Sequence, residues 1–173
     1  EAGSLRLVFR RPRRNAVRVV LLLDVGGSMD EHAALVSRLF TAVHQASHFR
    51  ELTVRYFHNC VYDRLYETPA LHPRRSDLTL DLLARLSPEH RLVAVVVTYN
   101  RLDKLQDTLA RLLAEPAADL SAVVVIDNAS DDGTGEWLAG QDDPRLLVQR
   151  SAANIGGAGG FEAGMKLAVD RFD

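Results

Sequence analysis

Two kinds of stretch alternate along the chain. Residues 17–23 (VRVVLLL), followed by Asp24, form an apolar run broken only by Arg18, residues 92–97 are unbroken, and residues 122–126 make a third. Short runs of this kind, rich in Val and Ile and without polar alternation, are the pattern of strands buried on both faces of a parallel sheet. Between them apolar residues recur at helical spacing. One stripe is Leu35, Leu39, Ala42, Val43 and Ala46, and a second is Leu78, Leu82, Leu83 and Leu86, which stops before Pro88. A third is Leu105, Leu109, Leu112 and Leu113, ending near Glu115 because the residue before Pro116 avoids the α region. Residues 52–57 and 61–66 read as two strands around His58, Asn59 and Cys60, a hairpin expected at a sheet edge. Residues 69–75 read as loop, 136–139 as a short helical turn and 146–149 as a short strand. Phe161, Met165, Ala168 and Phe172 close the chain with a helical stripe. This alternation predicts an α/β fold, a three-layer, doubly wound, mostly parallel sheet. No repeat, low-complexity linker or composition shift separates the halves, so one domain over residues 1–173 is expected.

Composition narrows the class without changing this picture. Apolar residues make up 47% and charged residues 25% of the 173, the balance of a soluble globular protein rather than a disordered or fibrous one. The lone cysteine, Cys60, excludes an internal disulfide and a Cys-only metal site. A net charge of −2 offers no bulk electrostatic case for nucleic acid as a partner. The apolar runs fall far short of the roughly 18–20 residues of a membrane span. The opening EAGSLRLVFRRPRR lacks the apolar core of a signal peptide, and a cytoplasmic setting is expected.

The first chemical constellation is the loop Asp24-Val-Gly-Gly-Ser28-Met-Asp30. An acidic residue at the carboxyl end of a buried strand, followed by a glycine turn and a hydroxyl, can hold a hard cation such as Mg or Mn, which needs few protein oxygens. Asp24, Ser28 and Asp30 are the candidate ligands. The competing reading is a capping box, with Ser28 and Glu31 closing the next helix and the glycines making the turn.

The second constellation is Thr98-Tyr99-Asn100-Arg101, Asp127-Asn-Ala-Ser-Asp-Asp-Gly-Thr134 and Asn154-Ile-Gly-Gly-Ala-Gly-Gly160. Each segment follows a strand or opens a helix, where backbone N–H groups can meet a phosphate. Tyr99 could stack on a base, Asp127 could accept from a base or ribose, and the glycines let a backbone come close to a ligand. Singly each has a structural reading: Asn100 with Asp103 caps a helix, and Asp132-Gly133 makes a turn. Other features read as structural. His44 and His48 share a helical face but have no third ligand, Arg10, Arg11, Arg13 and Arg14 lead into the first strand, Trp137 packs, and Cys60 has no base partner.

Two resemblances follow from these residues. PRRNAVRVVLLLDVGGSMDEH, HFREL and YFHNCVYDRLYET resemble the N-terminal half of a bacterial von Willebrand factor A-like domain, from about Leu5 to Val93. That family's metal site begins D-x-S-x-S. Asp24 and Ser28 match it, and Gly26 stands where the middle serine would be. The resemblance implies a metal-dependent face for a protein partner. VAVVVTYNRLDKLQDTLARLL, VVVIDNASDDGTGEWL and NIGGAGGFEAGM, over residues 92–173, resemble the nucleotide-binding half of family 2 (GT-A) glycosyltransferases. The NxGGAGG form is similar to rhamnosyl- and galactofuranosyltransferase-like members. This implies a UDP- or dTDP-sugar as ligand. Thr98, Tyr99, Asn100 and Arg101 would lie against base and phosphates, and Asp127 and Asn128 at base and ribose. Asn154, Gly156, Gly157 and Gly160 would border the nucleotide-sugar. The family's D-x-D motif and acceptor half have no counterpart up to Asp173, so binding without transferase turnover is expected.

The two resemblances meet within one strand, residues 92–98, as in a recombined or designed chimera, a natural fusion or a generated sequence. The expected sheet is Rossmann-like, order 3-2-1-4-5-6, with the first half giving 3-2-1. Asp24, Ser28, Thr98 and Asn100 would then converge at a crevice between the carboxyl ends of the first and fourth strands.

Overall fold

The computed structural model describes residues 17–25, 49–58 and 61–172. The predicted helix over 35–46 with His44 and His48, the loop 26–31 with Ser28 and Asp30, Cys60 and the basic run 10–14 lie outside the described residues. In chain order the elements are β1 (Arg18–Asp24), β2 (Glu51–Phe57), β3 (Arg64–Tyr66), β4 (Ser76–Leu78), α1 (Thr79–Ala84), β5 (His90–Thr98) and α2 (Leu102–Ala114). They continue with β6 (Ala122–Asp127), α3 (Thr134–Ala139), β7 (Leu146–Arg150) and α4 (Gly156–Phe172).

All seven strands join one sheet in the order β4-β3-β2-β1-β5-β6-β7. From β2 to β7 the pairing is parallel, and β3 and β4 add antiparallel at one edge. The α/β class, the order of the six expected strands and the edge hairpin are as the pattern predicts. The additional strand is β4. Its sequence, Ser-Asp-Leu, carries no strand signal of its own. Tertiary pairing makes it: β4 lies in register against β3, Leu65 level with Asp77.

The core follows from strand alternation. Val19, Leu21 and Leu23 of β1, Val93 and Val95 of β5, and Ala122, Val124 and Ile126 of β6 face one side, where Phe161, Met165 and Ala168 of α4 cover them. Val20 and Leu22, Leu92, Ala94 and Val96, and Val123 and Val125 face the other, against Leu82 of α1, Leu105, Leu109 and Leu112 of α2 and Leu138 of α3. Trp137 packs at the margin of that second layer. With apolar side chains on both faces, the central strands must be nearly all apolar, which is why they read as unbroken runs.

α4 sits unusually close to the sheet because of two glycines on its inner face. A Cβ at Gly160 would run into the Val97 side chain, and one at Gly164 into Val95. Part of the glycine run expected to approach a ligand therefore serves helix–sheet contact.

The edge strand β4 is tied down by charge. Asp77 accepts from Arg55 Nε at 2.9 Å and from Arg85 Nη2 at 2.9 Å. Burial pushes its pKa up, but the hydrogen bonds and charges of Arg55 and Arg85 outweigh this and hold it below the ordinary value. A depressed folded-state pKa gives stability that is present above the unfolded value, about 4, and lost as pH falls through the folded one. Thermal midpoints are therefore expected to drop between pH 5 and pH 2, and to drop less steeply in Asp77→Asn; equal acid sensitivity in the two proteins would exclude this contribution.

Candidate functional site

The three segments singled out in the second half meet at the carboxyl ends of β5 and β6 and at the entry to α4. Thr98 ends β5 level with Asp127, which ends β6, and Asp127 is level with Arg150 at the end of β7. Thr98, Asp127 and Asn128 are buried, whereas Tyr99, Asn100, Arg101, Asn154 and Gly156 are exposed around them. Tyr99 leaves 46% of its surface in solvent, so its ring is available for stacking.

Hydrogen bonds sew the loops together. Asn128 N–H donates to the Thr98 carbonyl at 2.8 Å. Asn100 N–H donates to Ser130 Oγ at 3.0 Å, and Asn100 Oδ1 accepts from Asp131 N–H at 2.9 Å. Asn100 thus does not cap the helix that follows it. Its φ of +50°, a conformation Asn tolerates, turns its side chain to the neighbouring loop instead. The helix end is satisfied from elsewhere: Leu102 N–H donates to Asp132 Oδ2 at 2.9 Å. Asp132 Oδ1 accepts from the Thr134 hydroxyl at 2.5 Å and from Thr134 N–H at 3.2 Å, so one carboxylate holds the start of both α2 and α3. The hydroxyl of Thr134, aided by the backbone N–H groups of Leu102 and Thr134, keeps the Asp132 pKa below its usual value.

Asp127 is fully buried. Its Oδ1 accepts from Ser130 N–H at 2.9 Å, while Oδ2 has no hydrogen-bond donor and faces Arg150 Nε at 3.4 Å. Arg150 Nη2 meanwhile donates to the Ser130 carbonyl at 2.7 Å. A buried acceptor without a hydrogen-bond donor is uncommon, and here the nearby Arg150 charge offsets part of its lost hydration. Asn128 is spent on the loop before α4. It donates to Asn154 Oδ1 at 2.8 Å and to the Gly156 carbonyl at 3.2 Å, and accepts from Ile155 N–H at 3.0 Å. Gly156 enters α4 at a φ of +73°, where a side chain would be strained.

Arg150 escaped the sequence reading, while Ser130 entered it only as part of the second constellation and Asp132 only as a turn residue. Ser130 was accessible in principle, since an Asp accepting from the N–H three residues on is ordinary turn chemistry. Arg150 emerges only when β7 is known to lie in register beside β6.

An open recess of about 520 Å³ lies at the start of α2, bounded by Asn100, Arg101, Lys104 and Asp132. A second, of about 290 Å³, lies away from these loops and is walled mainly by apolar side chains such as Leu22, Phe57, Leu65, Leu83 and Leu112, with Thr79 and Arg111 among its polar lining. In the first half, Asp24 ends β1 beside β5, with Leu23 level with Val95, so β5 runs on past it. Among the described residues no three His, Cys, Asp or Glu side chains come together to hold a metal ion. The remaining candidate ligands, Ser28 and Asp30, lie outside them.

Comparison with known proteins decides the family. The model of the family described as VWA domain containing CoxE-like protein matches residues 2–126. The chain belongs to that family. The match runs beyond Val93, where the sequence resemblance was expected to stop, and takes in β5, α2 and most of β6. The second half is also matched, over residues 93–172, by Glycosyl transferase family 2. The chain is thus a VWA-type first part sharing β5 to β6 with a glycosyltransferase-type second part. An undecaprenyl-phosphate mannosyltransferase of Micrococcus luteus is 35% identical over 83 residues, 47% of this chain and 33% of the relative. The galactofuranosyltransferase GlfT1 of Mycolicibacterium smegmatis is 36% identical over 76 residues, 44% of this chain and 24% of the relative. The chain therefore spans a third or less of the length of these curated relatives. No helix among the described residues is long and apolar enough to cross a membrane.

Proposed function

We propose that the second half is a nucleotide-sugar-binding half-site carried on a VWA-type sheet. The observation that carries this reading is the convergence of Tyr99, Asn100, Arg101, Asp127 and the Asn154–Gly156 turn at one end of β5 and β6, in a stretch that matches Glycosyl transferase family 2. Tyr99 stacks on the base, and Asp127 Oδ2, which has an ion-pair partner in Arg150 but no hydrogen-bond donor, takes a base N–H once Arg150 moves aside. Arg101 and the half-buried backbone of Gly157, at the start of α4, meet the diphosphate. A UDP- or dTDP-sugar fits these groups.

Turnover is not expected of residues 1–173. They contain no D-x-D, so charge developing on a diphosphate leaving group would lack the preorganised cation that family 2 chemistry places there. Asp24, with Ser28 and Asp30, would be the residues to hold Mg or Mn. The second reading, a metal-dependent face for a protein partner, rests on the family match over residues 2–126 and on Asp24 at the end of β1. In either reading the chain leaves β1 toward β2 and β5 toward β6, and this divergence is where open α/β sheets bind ligands.

Thermal shift with UDP, dTDP and their sugars, with and without Mg or Mn, tests the proposal. A saturable rise is expected, reaching about 2.7 kcal/mol at a hundred times Kd. No shift with any nucleotide at millimolar concentration would remove the nucleotide reading. Sugar transfer or donor hydrolysis above background by the purified chain would refute the expected lack of turnover.

A further inference from the structure

We infer that Asn128 is a positioning residue: it sets Asn154, and through it the turn into α4, so that Asn154 presents its amide donors to the oxygen-rich outer part of the ligand. The inference rests on the nucleotide-sugar reading above and assigns Asn128 a place in it behind the ligand-facing groups.

The geometry is a small, nearly saturated network. Asn128 is only 2% exposed. Both hydrogens of its amide are committed, one to Asn154 Oδ1 and one to the Gly156 carbonyl, and its oxygen accepts from Ile155 N–H. An amide has two donor hydrogens and two acceptor sites, so only one lone pair remains for anything else. On the other side, Asn154 Oδ1 accepts twice, from Asn128 at 2.8 Å and from Gly156 N–H at 2.9 Å. That fixes which way the Asn154 amide faces. Its oxygen is held inward, and its Nδ2, on an exposed residue, has no partner among the described residues. Two N–H donors held outward suit phosphate oxygens or sugar hydroxyls, and they do not suit the face of a base.

Asn128 is anchored in turn. Its own N–H is bonded to Thr98 at the end of β5, and Gly160, further along α4, rests on Val97 of the same strand. The amide therefore transfers the rigidity of the sheet to a loop with few other fixed points. Losing it leaves Asn154 Oδ1 held by Gly156 N–H alone, so the amide more readily turns its oxygen outward, where it repels an anion.

Binding of uridine and UDP to the wild-type chain, Asn128→Ala, Asn154→Ala and the double variant tests this by calorimetry. Each single substitution is expected to weaken UDP about tenfold, the equivalent of one lost oriented hydrogen bond, with uridine unchanged. The double variant is expected to be no weaker than Asn154→Ala alone, since both act through the same donors. Additive losses, or equal losses for uridine and UDP in Asn128→Ala, would overturn the inference, because Asn128 would then act independently or touch the nucleoside. If Asn128→Ala does not fold, the neutral Asn128→Ser, which lacks the two-donor amide, carries the same expectation. Wild-type protein that binds uridine and UDP equally leaves the nucleotide reading standing and defeats this inference alone. Wild-type protein that binds neither defeats both.

Discussion

Leu21→Ala, a change in the first half, is expected to unfold the second half as well. Leu21 is fully buried in β1 and packs in the layer that also holds Val93, Val95, Val124 and α4. Removing its side chain should cost about 2–5 kcal/mol, the usual range for a buried Leu that leaves a cavity. Trp137, the only tryptophan, sits in α3 of the second half and reports that half's unfolding by fluorescence. Because β1 pairs with β5 along Arg18 to Leu23, the fluorescence and circular-dichroism transitions should shift together to lower denaturant. A fluorescence midpoint that stays in place while the dichroism midpoint moves would mean two independently folding halves, and the expected single domain would be wrong.

Gly164→Leu is expected to be nearly as costly, for the opposite reason. Leucine in place of glycine improves helix propensity by up to about 1 kcal/mol. Against that, its first carbon alone would overlap Val95 and press on Ile126, both fully buried in the sheet centre and unable to move aside. Overpacking of a tight core costs about 1–3 kcal/mol, with the upper end appropriate for four added carbons. The clash therefore wins, and a net loss of about 2 kcal/mol should appear as a lower thermal midpoint. Gly164→Ala separates the terms, since it keeps most of the propensity gain with the least added bulk. A Leu variant as stable as wild type would show that α4 can lift from the sheet at little cost.

The sheet was legible because its signal is local. β1, β5 and β6 are buried on both faces, and an unbroken apolar run is the direct imprint of that environment. The order of the strands was expected from the two resemblances, which meet within one shared strand. What escaped was non-local. β4 is a strand only because β3 lies beside it and Arg55 reaches Asp77. Asn100 looked like a cap, since Asn before an apolar stripe usually is one, yet the cap on Leu102 comes from Asp132, thirty residues beyond Leu102 and in another loop. The glycines of α4 carried two meanings that sequence alone does not separate. Gly156 is needed for its backbone angle and Gly160 for its missing side chain. The site residues were legible as a group, through motif order, but their division into ligand-facing and supporting members required the hydrogen bonds. Asn128 and Asn154 are the same residue type in similar loops, and only their burial and partners set them apart.

The pairing of β1 with β5 also has a consequence for the chain as it is made. Synthesis delivers β1 and β2 first, and the edge of β1 that will meet β5 stays unpaired until His90 to Val95 have emerged. At about 5–20 residues per second, this leaves an apolar strand edge open for several seconds on each ribosome. Closing it spans the whole stretch from Arg18 to His90, a long-range contact of the kind that slows folding. The nascent first half is thus the interval in which this protein most needs a chaperone, and the arrival of β5 ends it.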